Sequence, residues 1–454
     1  MKRSRIVVVG GGLAGLSAAL ECADQGAEVT LLESRKWLGG ATWSNHHRGL
    51  GFEIDNGQHV FMRCCDHYLA FLDRLGVRDR IIFQDRLNVP IVRPGQPLAC
   101  IRRVSLPAPA HLAPSLLRFP TLSLQERLHA ALTAIRFAQL DPEDPALDDR
   151  SLGDWLQERG ESAAAIDRLW DLLIRPTLNL PAREASLALA ARVLRTGFLD
   201  SASGADVGWS RVPLSDLHAG PAREALERRG ARVETRARID AIDIAGVGGP
   251  AVWCKGVRME ADAVILAVPH EVAARLLPSA VGFDSDGLSK LGHSPIVNLH
   301  IVLDRKVMDL DFAAGLDTEI EWIFDGTKRV GLERGQYLSV SLSAADRWLG
   351  RSAESLCEVF EPALRALFPR ARVARIEKFA VTIEPRATYR AIPGTQRVRP
   401  KPGTEIAGVF LAGAWTDTGW PATMESAVRS GMSAARAALV AGAHRQRCGA
   451  KEAV

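Results

Sequence analysis

The sequence predicts an α/β fold, and the first observations that predict it lie at the N-terminus. Residues 6–9 are an apolar run of strand type, residues 13–23 carry apolar side chains at helical spacing, and residues 29–32 are a second apolar run. A strand, a glycine-rich turn, a helix and a second strand in this order predict a parallel sheet with the helix packed on one face. This is the arrangement of Rossmann-like domains.

The turn between the first strand and the helix has the spacing of a dinucleotide site. Gly10, Gly12 and Gly15 satisfy the pattern G-x-G-x-x-G. The first glycine permits the tight turn, the second lets the backbone approach a pyrophosphate, and the third lets the helix pack closely on the sheet. Glu33 lies 23 residues after Gly10 and is placed to accept hydrogen bonds from a ribose. The residues that we assign to dinucleotide binding here are Gly10, Gly12, Leu13, Ala14, Gly15, Glu33 and Ser34.

Length and composition exclude several classes of protein. The 454 residues suffice for two or three domain-sized units, and 47% hydrophobic with 24% charged residues is typical of a globular chain. A net charge of +4 is too weak to favour a nucleic-acid partner. No apolar run approaches the roughly 18 residues that span a bilayer. The basic start MKRSRIVVVGGG breaks into glycines too early for a signal peptide. We therefore expect a cytoplasmic protein.

The cysteines indicate neither a disulfide framework nor a metal site. There are seven of them, with one adjacent pair, Cys64 and Cys65, and without a C-x-x-C motif. An odd number without metal-ligand spacing predicts reduced thiols in the core of a cytosolic protein. No metal site is expected on this basis.

A second informative segment lies near the C-terminus, where residues 412–431 read AGAWTDTGWPATMESAVRSG. These letters are typical of a strand end, a tight turn with two tryptophans and a helix that starts near Thr423. Thr423 is a good N-cap, and Glu425 suits the first helical turn, where negative charge is favoured. From the residues alone, this is either a capped packing helix or a helix whose N-terminus faces a ligand.

Further segments in the right order connect these two ends: Gly39 with Gly40, FEIDNGQHV at residues 52–60 and ADAVILAVPH at residues 261–270. The set resembles the large flavoprotein superfamily that includes amine oxidases and phytoene desaturases. The resemblance implies that FAD is the cofactor and that the helix near Thr423 points its N-terminus at the pyrimidine edge of the flavin, where free N–H groups stabilise negative charge. The further FAD contacts that it implies are Gly39, Gly40, Gly57, Gln58, Ile239, Val268, Gly413, Thr423, Met424 and Ala427.

Longer segments narrow the resemblance, namely residues 169–194, 321–327, 384–400 and 412–431. Together with DNGQHV, they closely resemble the squalene-associated FAD-dependent desaturase family, described as hydroxysqualene dehydroxylases of bacterial hopanoid and squalene synthesis. The resemblance covers nearly the whole chain. The chain departs from the superfamily where a pyrophosphate contact, a ribityl hydrogen bond and the flavin-side pocket are expected. These departures are Ala41 for a usual Arg, Ala414 for a common Asp, Trp420 for Leu and Ser426 for Gly.

The family resemblance implies a reductive dehydroxylation. Hydroxysqualene bears an allylic alcohol, so protonating the hydroxyl makes water the leaving group and gives a delocalised cation. Reduced FAD can then deliver hydride from N5 to give squalene. Such a site needs a long apolar pocket and one proton donor. We expect His59 as the first candidate for the donor, because the superfamily places the preceding residues near the isoalloxazine, and Asp417 as the second.

Each of these roles has a structural alternative. His59 could hydrogen-bond FAD or the backbone, and Asp417 could cap its own turn through an Asx side chain. Trp415 and Trp420 are expected as apolar walls of the substrate pocket, with plain core packing as the alternative. Asp55 is expected to fix the local backbone.

The motifs divide the chain into two interleaved parts. Residues 1–80, 205–285 and 400–454 are expected to form the FAD-binding domain. Residues 81–204 and 286–399 are expected to form an α+β substrate domain with a mixed sheet and helices over the flavin.

Residues 98–140 stand out within the substrate domain, because they mix apolar residues, prolines and arginines with Glu126 as the only acid. Basic amphipathic stretches of this kind can lie at a membrane interface. We therefore expect peripheral contact with the inner face of the cytoplasmic membrane, with a helical cover whose arginines reach water as the alternative. The arginines are Arg102, Arg103, Arg118, Arg127 and Arg136.

The chain has no second dinucleotide motif. GVGGP at residues 246–250 lies between two strand-like runs and predicts a hairpin turn. We therefore expect an external electron donor. Three rival functions stay open: a polyprenyl or carotenoid-type desaturase with reversed electron flow, an amine oxidase, for which no lysine stands out in the flavin motifs, and a non-catalytic prenyl-lipid carrier.

Overall fold

The computed structural model describes residues 3–244, 249–277 and 285–452, with side chains in the last helix given up to residue 442. The strands are, in chain order, β1 (Arg5–Val9), β2 (Glu28–Leu32), β3 (Ser44–His47), β4 (Phe52–Asp55), β5 (Val60–Met62), β6 (Ile81–Phe83), β7 (Asn88–Val92), β8 (Ala99–Arg102), β9 (Val207–Ser210), β10 (Arg232–Glu234), β11 (Ile239–Asp243), β12 (Ala251–Cys254), β13 (Val257–Glu260), β14 (Ala263–Leu266), β15 (Ser294–Leu303), β16 (Phe312–Gly315), β17 (Trp322–Asp325), β18 (Gln336–Leu342), β19 (Ile376–Thr388) and β20 (Val409–Leu411). The α-helices are α1 (Leu13–Asp24), α2 (Asp66–Leu75), α3 (Ala113–Leu117), α4 (Leu124–Phe137), α5 (Pro145–Asp148), α6 (Leu152–Glu158), α7 (Ala163–Ala165), α8 (Asp171–Leu178), α9 (Leu187–Val193), α10 (Gly220–Arg228), α11 (His270–Leu276), α12 (Ser285–Ser289), α13 (Ala353–Leu367), α14 (Thr395–Val398) and α15 (Met424–Glu452).

A parallel sheet carries the glycine-rich turn. Its five strands lie in the order β10-β2-β1-β14-β20, and every neighbouring pair is parallel. The central strands β1 and β14 are almost entirely buried, as expected for a parallel sheet that is covered on both faces. The predicted strand–turn–helix–strand unit is confirmed as β1, α1 and β2.

The second large sheet is mixed, as predicted. Its seven strands lie in the order β19-β15-β18-β17-β16-β7-β8. All neighbouring pairs are antiparallel except β16 with β7, which are parallel. The α/β fold class with a mixed second sheet is therefore confirmed.

The chain passes back and forth between the two sheets. The parallel sheet takes its strands from residues 1–80, 205–285 and 400–454, whereas the mixed sheet takes its strands from residues 81–204 and 286–399. Segments far apart in sequence therefore meet where the two sheets approach each other. The boundaries of the cofactor and substrate domains stay a prediction, because sheet membership does not define where a domain ends.

Three small sheets complete the strand pairing of the described residues: β3-β4, β5-β9-β6 and β11-β12-β13. Strands β11 and β12 are antiparallel neighbours, as the sequence around residues 246–250 led us to expect. Residues 245–248 lie outside the described residues, so the hairpin turn itself stays a prediction.

The C-terminal helix α15 packs directly on α1. A Cβ on Gly431 would lie 2.1 Å from the Ala14 carbonyl oxygen, so the two backbones touch there. The Ser17 hydroxyl donates to the Val428 carbonyl oxygen at 3.1 Å. This contact fixes the start of α15 against the helix that follows the glycine-rich turn.

Residues 98–140 fold as β8 at the edge of the mixed sheet, followed by α3 and α4. Helix α4 starts with a capping box formed by Ser123 and Glu126. Its buried face carries Ala130, Thr133 and Phe137. The opposite face is apolar as well, and its side chains are between 51% and 65% exposed; they are Leu124, Leu128, Leu132 and Ile135.

Within the described ranges, no helix combines the length and apolarity needed to cross a bilayer.

The cysteines with described side chains are free thiols. Cys22 and Cys65 are buried, and burial raises the pKa of the Cys22 thiol to about 12. Such thiols are packing residues rather than nucleophiles. Cys448 lies outside the described side chains.

Candidate flavin and active site

The glycine-rich turn has the shape that a phosphate site requires. Gly10 has a φ of +108°, and a Cβ there would lie 2.2 Å from the Ala267 carbonyl oxygen, so only glycine fits. A Cβ on Gly15 would lie 1.8 Å from the Gly10 carbonyl oxygen, which shows how tightly α1 packs on the turn. Gly12 differs, because the nearest atom to its Cβ would be the Gly40 Cα at 3.6 Å. The turn therefore leaves room beside Gly12 for a ligand.

Helix α1 begins at this turn without a side-chain cap. Gly12 is the N-cap residue, and no acidic residue lies in the first turn. The leading N–H groups of a helix lack partners within the helix and attract anions. Leu13 and Ala14 are buried, so their side chains belong to the core and only their backbone can face a ligand. The turn fits a dinucleotide pyrophosphate.

Glu33 organises this turn in addition to its expected ribose role. Its Oε2 accepts a hydrogen bond from the Gly11 N–H at 2.6 Å. Its Oε1 accepts from the Arg35 N–H at 2.7 Å and from the Ser34 hydroxyl at 3.1 Å. Ser34 is thus held by Glu33. The carboxylate is only 7% exposed, and its remaining lone pairs are what a ribose hydroxyl could use.

The second glycine pair lies beside the first. The Gly39 N–H donates to the Gly11 carbonyl oxygen at 2.8 Å, and Gly39 pairs with Gly12 in an isolated parallel bridge. Both Gly39 and Gly40 have positive φ, at +106° and +60°. The structure therefore brings together two glycine turns that lie about 30 residues apart in the sequence.

Asp55 joins segments distant in the sequence and holds a buried ion pair, and its expected role in fixing the local backbone stays a prediction. Its Oδ1 accepts from the Ser44 hydroxyl at 2.7 Å and from the Leu214 N–H at 3.0 Å. Its Oδ2 accepts from the Arg329 guanidinium, which comes from the turn after β17. Asp55 is 3% exposed and the Arg329 side chain 10%. The pair therefore joins the DNGQH segment to the mixed-sheet side of the molecule.

The next two residues, Asn56 and Gly57, contact the mixed sheet itself. The Asn56 carbonyl oxygen accepts from the Asn298 amide on β15 at 3.3 Å and from the Thr382 hydroxyl on β19 at 3.0 Å. The Asn56 amide donates to Glu384 on β19 at 3.2 Å. A Cβ on Gly57 would lie 2.8 Å from the Asn298 amide nitrogen, so a larger residue there would displace the Asn298 side chain. These contacts clamp the DNGQH segment onto the mixed sheet.

His59 lies at the end of this clamp. Its Nδ1 is 2.9 Å from the Gly57 carbonyl oxygen, which can only accept, so Nδ1 carries a proton and Nε2 is the free ring atom. Burial lowers the pKa of His59, although the Gly57 carbonyl and the carboxylates of Asp55 and Glu384 oppose the shift. The neutral imidazole is therefore the main form at neutral pH.

Trp415 connects two of the expected FAD segments. Its indole Nε1 donates to the Val268 carbonyl oxygen at 2.8 Å. A Cβ on Gly413 would lie 2.3 Å from the same nitrogen, and Gly413 has a φ of +149°. Trp415 is 6% exposed and belongs to the hydrophobic core. Core packing therefore accounts for this side chain, and its role as a pocket wall stays a prediction.

The start of α15 is capped as predicted. The Thr423 hydroxyl accepts from the Ser426 N–H at 3.2 Å. Glu425 lies in the first turn of α15 and is only 1% exposed. Its side chain reaches the N-terminus of another helix, α2. Its carboxylate accepts from the N–H groups of His67 at 3.2 Å and Tyr68 at 2.7 Å. The start of α15 and the start of α2 are thus locked together.

Asp417 and Trp420 lie in the turn before α15. The Asp417 carboxylate accepts from the Gly419 N–H at 3.3 Å, the Asx turn given above as its structural alternative. Trp420 packs under the Arg429 guanidinium, 4.8 Å from the ring centroid. It also lines a polar cavity of about 540 Å³ together with Arg63, Arg192 and Arg429. This lining is charged, unlike the apolar wall expected for Trp420.

The other residues expected to contact FAD fall into a buried group and a half-buried group. Ile239 and Gly413 are buried. Half-buried positions, at which a side chain can still meet a ligand, are Gln58, Val268, Thr423, Met424 and Ala427. Their roles as cofactor contacts stay predictions.

Sequence reasoning missed the partners that the mixed sheet supplies to the site. Arg329, Asn298 and Thr382 carry no motif of their own. Arg329 and Thr382 lie two positions outside residues 321–327 and 384–400, which carry the family resemblance, but no spacing there assigns them a role. Glu384 lies in one of the segments that carry the family resemblance, but only the pairing of β19 with β15 places it beside Asn56.

Comparison with known proteins identifies the superfamily and its relatives. The sequence profile of the family described as flavin containing amine oxidoreductase matches residues 13–439. Hydroxysqualene dehydroxylases from Zymomonas mobilis and Rhodopseudomonas palustris are 28% and 29% identical to the chain, over 95% and 96% of it and 98% of each relative. A 15-cis-phytoene desaturase from Solanum lycopersicum is 27% identical over 96% of the chain and 78% of that protein. The predicted resemblance to hydroxysqualene dehydroxylases is therefore confirmed.

Solved structures agree with the fold. An oxidoreductase from Methanosarcina mazei matches with a TM-score of 0.73 at 18% identity, covering 94% of this chain and 99% of that one. Cyclohexylamine oxidase from Brevibacterium oxydans matches with a TM-score of 0.71 at 18% identity, covering 97% and 99%. At such identities the likeness concerns the fold alone. Because the family profile spans most of the sequence, the chain belongs to the flavin containing amine oxidoreductase family and is an FAD-dependent oxidoreductase.

Proposed function

We propose that this oxidoreductase removes the hydroxyl group of hydroxysqualene reductively and releases squalene. The observation that carries the proposal is the match to two hydroxysqualene dehydroxylases over nearly the full length of both chains. The match to a phytoene desaturase favours a second candidate, a polyprenyl desaturase, although it covers only 78% of that protein. Both candidates act on a long apolar isoprenoid.

The proposed FAD site consists of the two glycine turns and the start of α15. The backbone at Gly12 and Gly39 would hold the pyrophosphate, Glu33 the ribose, and the helix start capped by Thr423 the pyrimidine edge of the flavin. In its reduced form FAD supplies the hydride that replaces the departing hydroxyl. An external electron donor belongs to the proposal, because the sequence carries a single dinucleotide motif.

The chain itself must provide a proton, since hydroxide is a poor leaving group. His59 is the first candidate for the donor: the Gly57 carbonyl fixes its Nδ1–H, so a protonated ring would donate from Nε2. Its lowered pKa makes this form scarce at neutral pH. Asp417 is the second candidate. Glu384 is a third, because its carboxyl group lies beside Asn56 within the same clamp and would donate in its protonated form.

The experiment that tests the function is an anaerobic single turnover of reduced enzyme with hydroxysqualene, followed by analysis of the lipid product. We expect squalene, and a rate that drops by roughly 10²–10⁴-fold when the proton donor is removed. His59→Ala, Asp417→Ala and Glu384→Gln variants with bound FAD identify the donor. If reduced enzyme makes no squalene while oxidised enzyme introduces double bonds into a hydrocarbon, the desaturase function replaces this one. Protein that cannot be loaded with FAD would support a lipid carrier.

We further propose that α4 rests on the inner face of the cytoplasmic membrane, where such substrates dissolve. Its exposed apolar stripe supports this proposal, since an amphipathic helix with basic neighbours favours an anionic lipid surface. Two of the arginines in this segment serve the fold instead. Arg103 forms a bidentate pair with Asp206 at 2.7 and 2.9 Å, and Arg127 donates to backbone carbonyl oxygens. The three exposed arginines Arg102, Arg118 and Arg136 remain for the lipid surface.

Co-sedimentation with vesicles tests this contact. Binding should rise with the anionic lipid content and fall with salt. The double variant Leu128→Ser with Leu132→Ser should bind at least about tenfold more weakly, since burial of each leucine contributes about 1.5 kcal/mol or more. Val373→Ser, at a position 71% exposed outside this segment, is the matched control. Equal binding of the double variant and the control would contradict the proposal.

A further inference from the structure

Three side chains with metal-binding chemistry meet at the start of α11, and none of them has a part in the proposed reaction. His270 and Glu271 are the first residues of α11, and His293 directly precedes β15. His293 Nε2 lies 2.6 Å from one carboxylate oxygen of Glu271, and His270 Nδ1 lies 3.6 Å from the other. With one ligand atom from each residue, all three atoms lie within 4.8 Å of one another.

We propose that His270, Glu271 and His293 form a binding site for a divalent transition-metal ion such as zinc. Two imidazoles and one carboxylate are a ligand set that zinc accepts, usually with water in the fourth position. Zinc–ligand bonds of about 2.0–2.1 Å place tetrahedral ligand atoms about 3.3 Å apart. The observed spacing of the three residues reaches this value with side-chain shifts of about an ångström or less.

The hydrogen bonds within the cluster leave one buried carboxylate oxygen without a partner in the described part of the chain, which favours a bound cation at this position. Glu271 Oε2 is buried and has no hydrogen-bond partner among the described residues, which is costly for a carboxylate oxygen. The His270 ring is 5% exposed and lies 4.8 Å from the His293 ring, centroid to centroid. A cation bound between these groups would satisfy the orphan oxygen and use both rings.

Arg386 competes for the same carboxylate. Its guanidinium lies 3.3 Å from Glu271 Oε1. The Arg386 side chain is 71% exposed, so it can turn into solvent at little cost, because an exposed ion pair is weak. Replacing a ligand residue should weaken metal binding. Removing the Arg386 guanidinium should instead strengthen it, because the guanidinium competes with the metal ion for the carboxylate.

A bound ion would join the turn after β14 to the start of β15. The His270 ring centroid is 6.3 Å from that of Trp415, which holds the Val268 carbonyl. The ion would therefore brace a segment that is expected to contact FAD. Its binding does not depend on the proposed function, because no step of the reaction uses these three residues.

The test is a zinc titration of the FAD-loaded protein after dialysis against a chelator, with a chromophoric zinc indicator as competitor. We expect one ion per chain, at least a 100-fold loss of affinity in Glu271→Gln and His293→Gln, and several-fold tighter binding in Arg386→Gln. A Co²⁺ titration, read in the ligand-field bands, should report a site with nitrogen and oxygen donors. Flavin content and thermal unfolding verify that each variant is folded.

The matched control removes two other histidines, His46 and His47 on β3, as the double variant His46→Gln with His47→Gln. It should bind zinc like the wild type. If the control loses the ion, or if Glu271→Gln and His293→Gln bind as tightly as the wild type, the proposal is overturned. Should Glu271→Gln fail to fold, His293→Gln decides, because the His293 side chain is 28% exposed and its replacement disturbs the core little.

Discussion

Replacing Gly12 by valine tests the assignment of the phosphate site with little strain on the fold. Gly12 has φ −77° and ψ 178°, an extended conformation that valine adopts readily. The nearest atom to its Cβ would be the Gly40 Cα at 3.6 Å, an ordinary contact. Replacing an N-cap glycine by valine costs about 1 kcal/mol. The variant should therefore fold, with its methyl groups in the space where the pyrophosphate is expected.

The loss of FAD affinity follows from the hydrogen bonds that the valine would displace. A pyrophosphate moved away from the start of α1 loses charge-assisted bonds from backbone N–H groups, each worth about 1.5–3 kcal/mol. Losing two of them costs roughly 3–6 kcal/mol, or about 10²–10⁴-fold in the dissociation constant. The purified variant should be nearly colourless, and FAD titration followed by flavin fluorescence should show the weaker binding.

Two other glycines serve as controls. A Cβ on Gly403 would have no atom within 4 Å, so Gly403→Ala should keep its flavin and its stability. A Cβ on Gly15 would lie 1.8 Å from the Gly10 carbonyl oxygen, so Gly15→Ala should lose stability as well as flavin. A Gly12→Val protein that is folded and carries full flavin would refute the placement of the pyrophosphate.

Three further predictions concern buried polar groups. If His59 is the proton donor, the single-turnover rate should fall as the pH rises through its lowered pKa, and His59→Gln should be slow without this pH dependence; a wild-type profile in that variant excludes the role. Glu425→Gln should lower the free energy of unfolding by about 1–3 kcal/mol in urea titrations, because the carboxylate caps α2. The control is Glu224→Gln. Because the Glu224 side chain is 71% exposed, its replacement should change the free energy of unfolding by less than about 0.5 kcal/mol. Burial lowers the pKa of His218 and His300 to about 3. The unfolded chain takes up these protons below about pH 6.5, so stability should be lost as the pH falls from there, by about 2 kcal/mol for each histidine at pH 5; equal unfolding free energies at pH 7 and pH 5 would contradict this.

Local patterns made the cofactor side of the molecule predictable. The unit of β1, α1 and β2 follows from apolar periodicity and from glycine spacing, both of which act within about 30 residues. The N-cap at Thr423 is predictable for the same reason, since a threonine serves the N–H group three residues later. In each case the physical cause and its signal lie in the same stretch of chain.

The substrate side was less predictable because its contacts are long-range. Asp55 and Arg329 are 274 residues apart, and Asn56 meets Thr382 across 326 residues. No periodicity or spacing reports such a meeting. Helix α4 shows the intermediate case: its apolar letters predict an amphipathic helix, but only tertiary packing decides that the Phe137 face is covered and the Leu128 face is exposed.

The clamp around His59 also separates the two candidate functions. Dehydroxylation needs a proton donor for the departing hydroxyl, so a rate that depends on His59 must fall as the pH rises above the lowered pKa. Desaturation removes hydride and a proton from a hydrocarbon, and a neutral imidazole with a free Nε2 suits the proton acceptor of that reaction. Its rate would rise through the same pH range. The sign of the change of rate with pH in wild-type enzyme therefore indicates the direction of electron flow, provided that the pH dependence is absent in His59→Gln. This result does not depend on which product is easier to detect. If the slope persists in His59→Gln, the titrating group lies elsewhere, and Glu384, within the same clamp, is the next to replace.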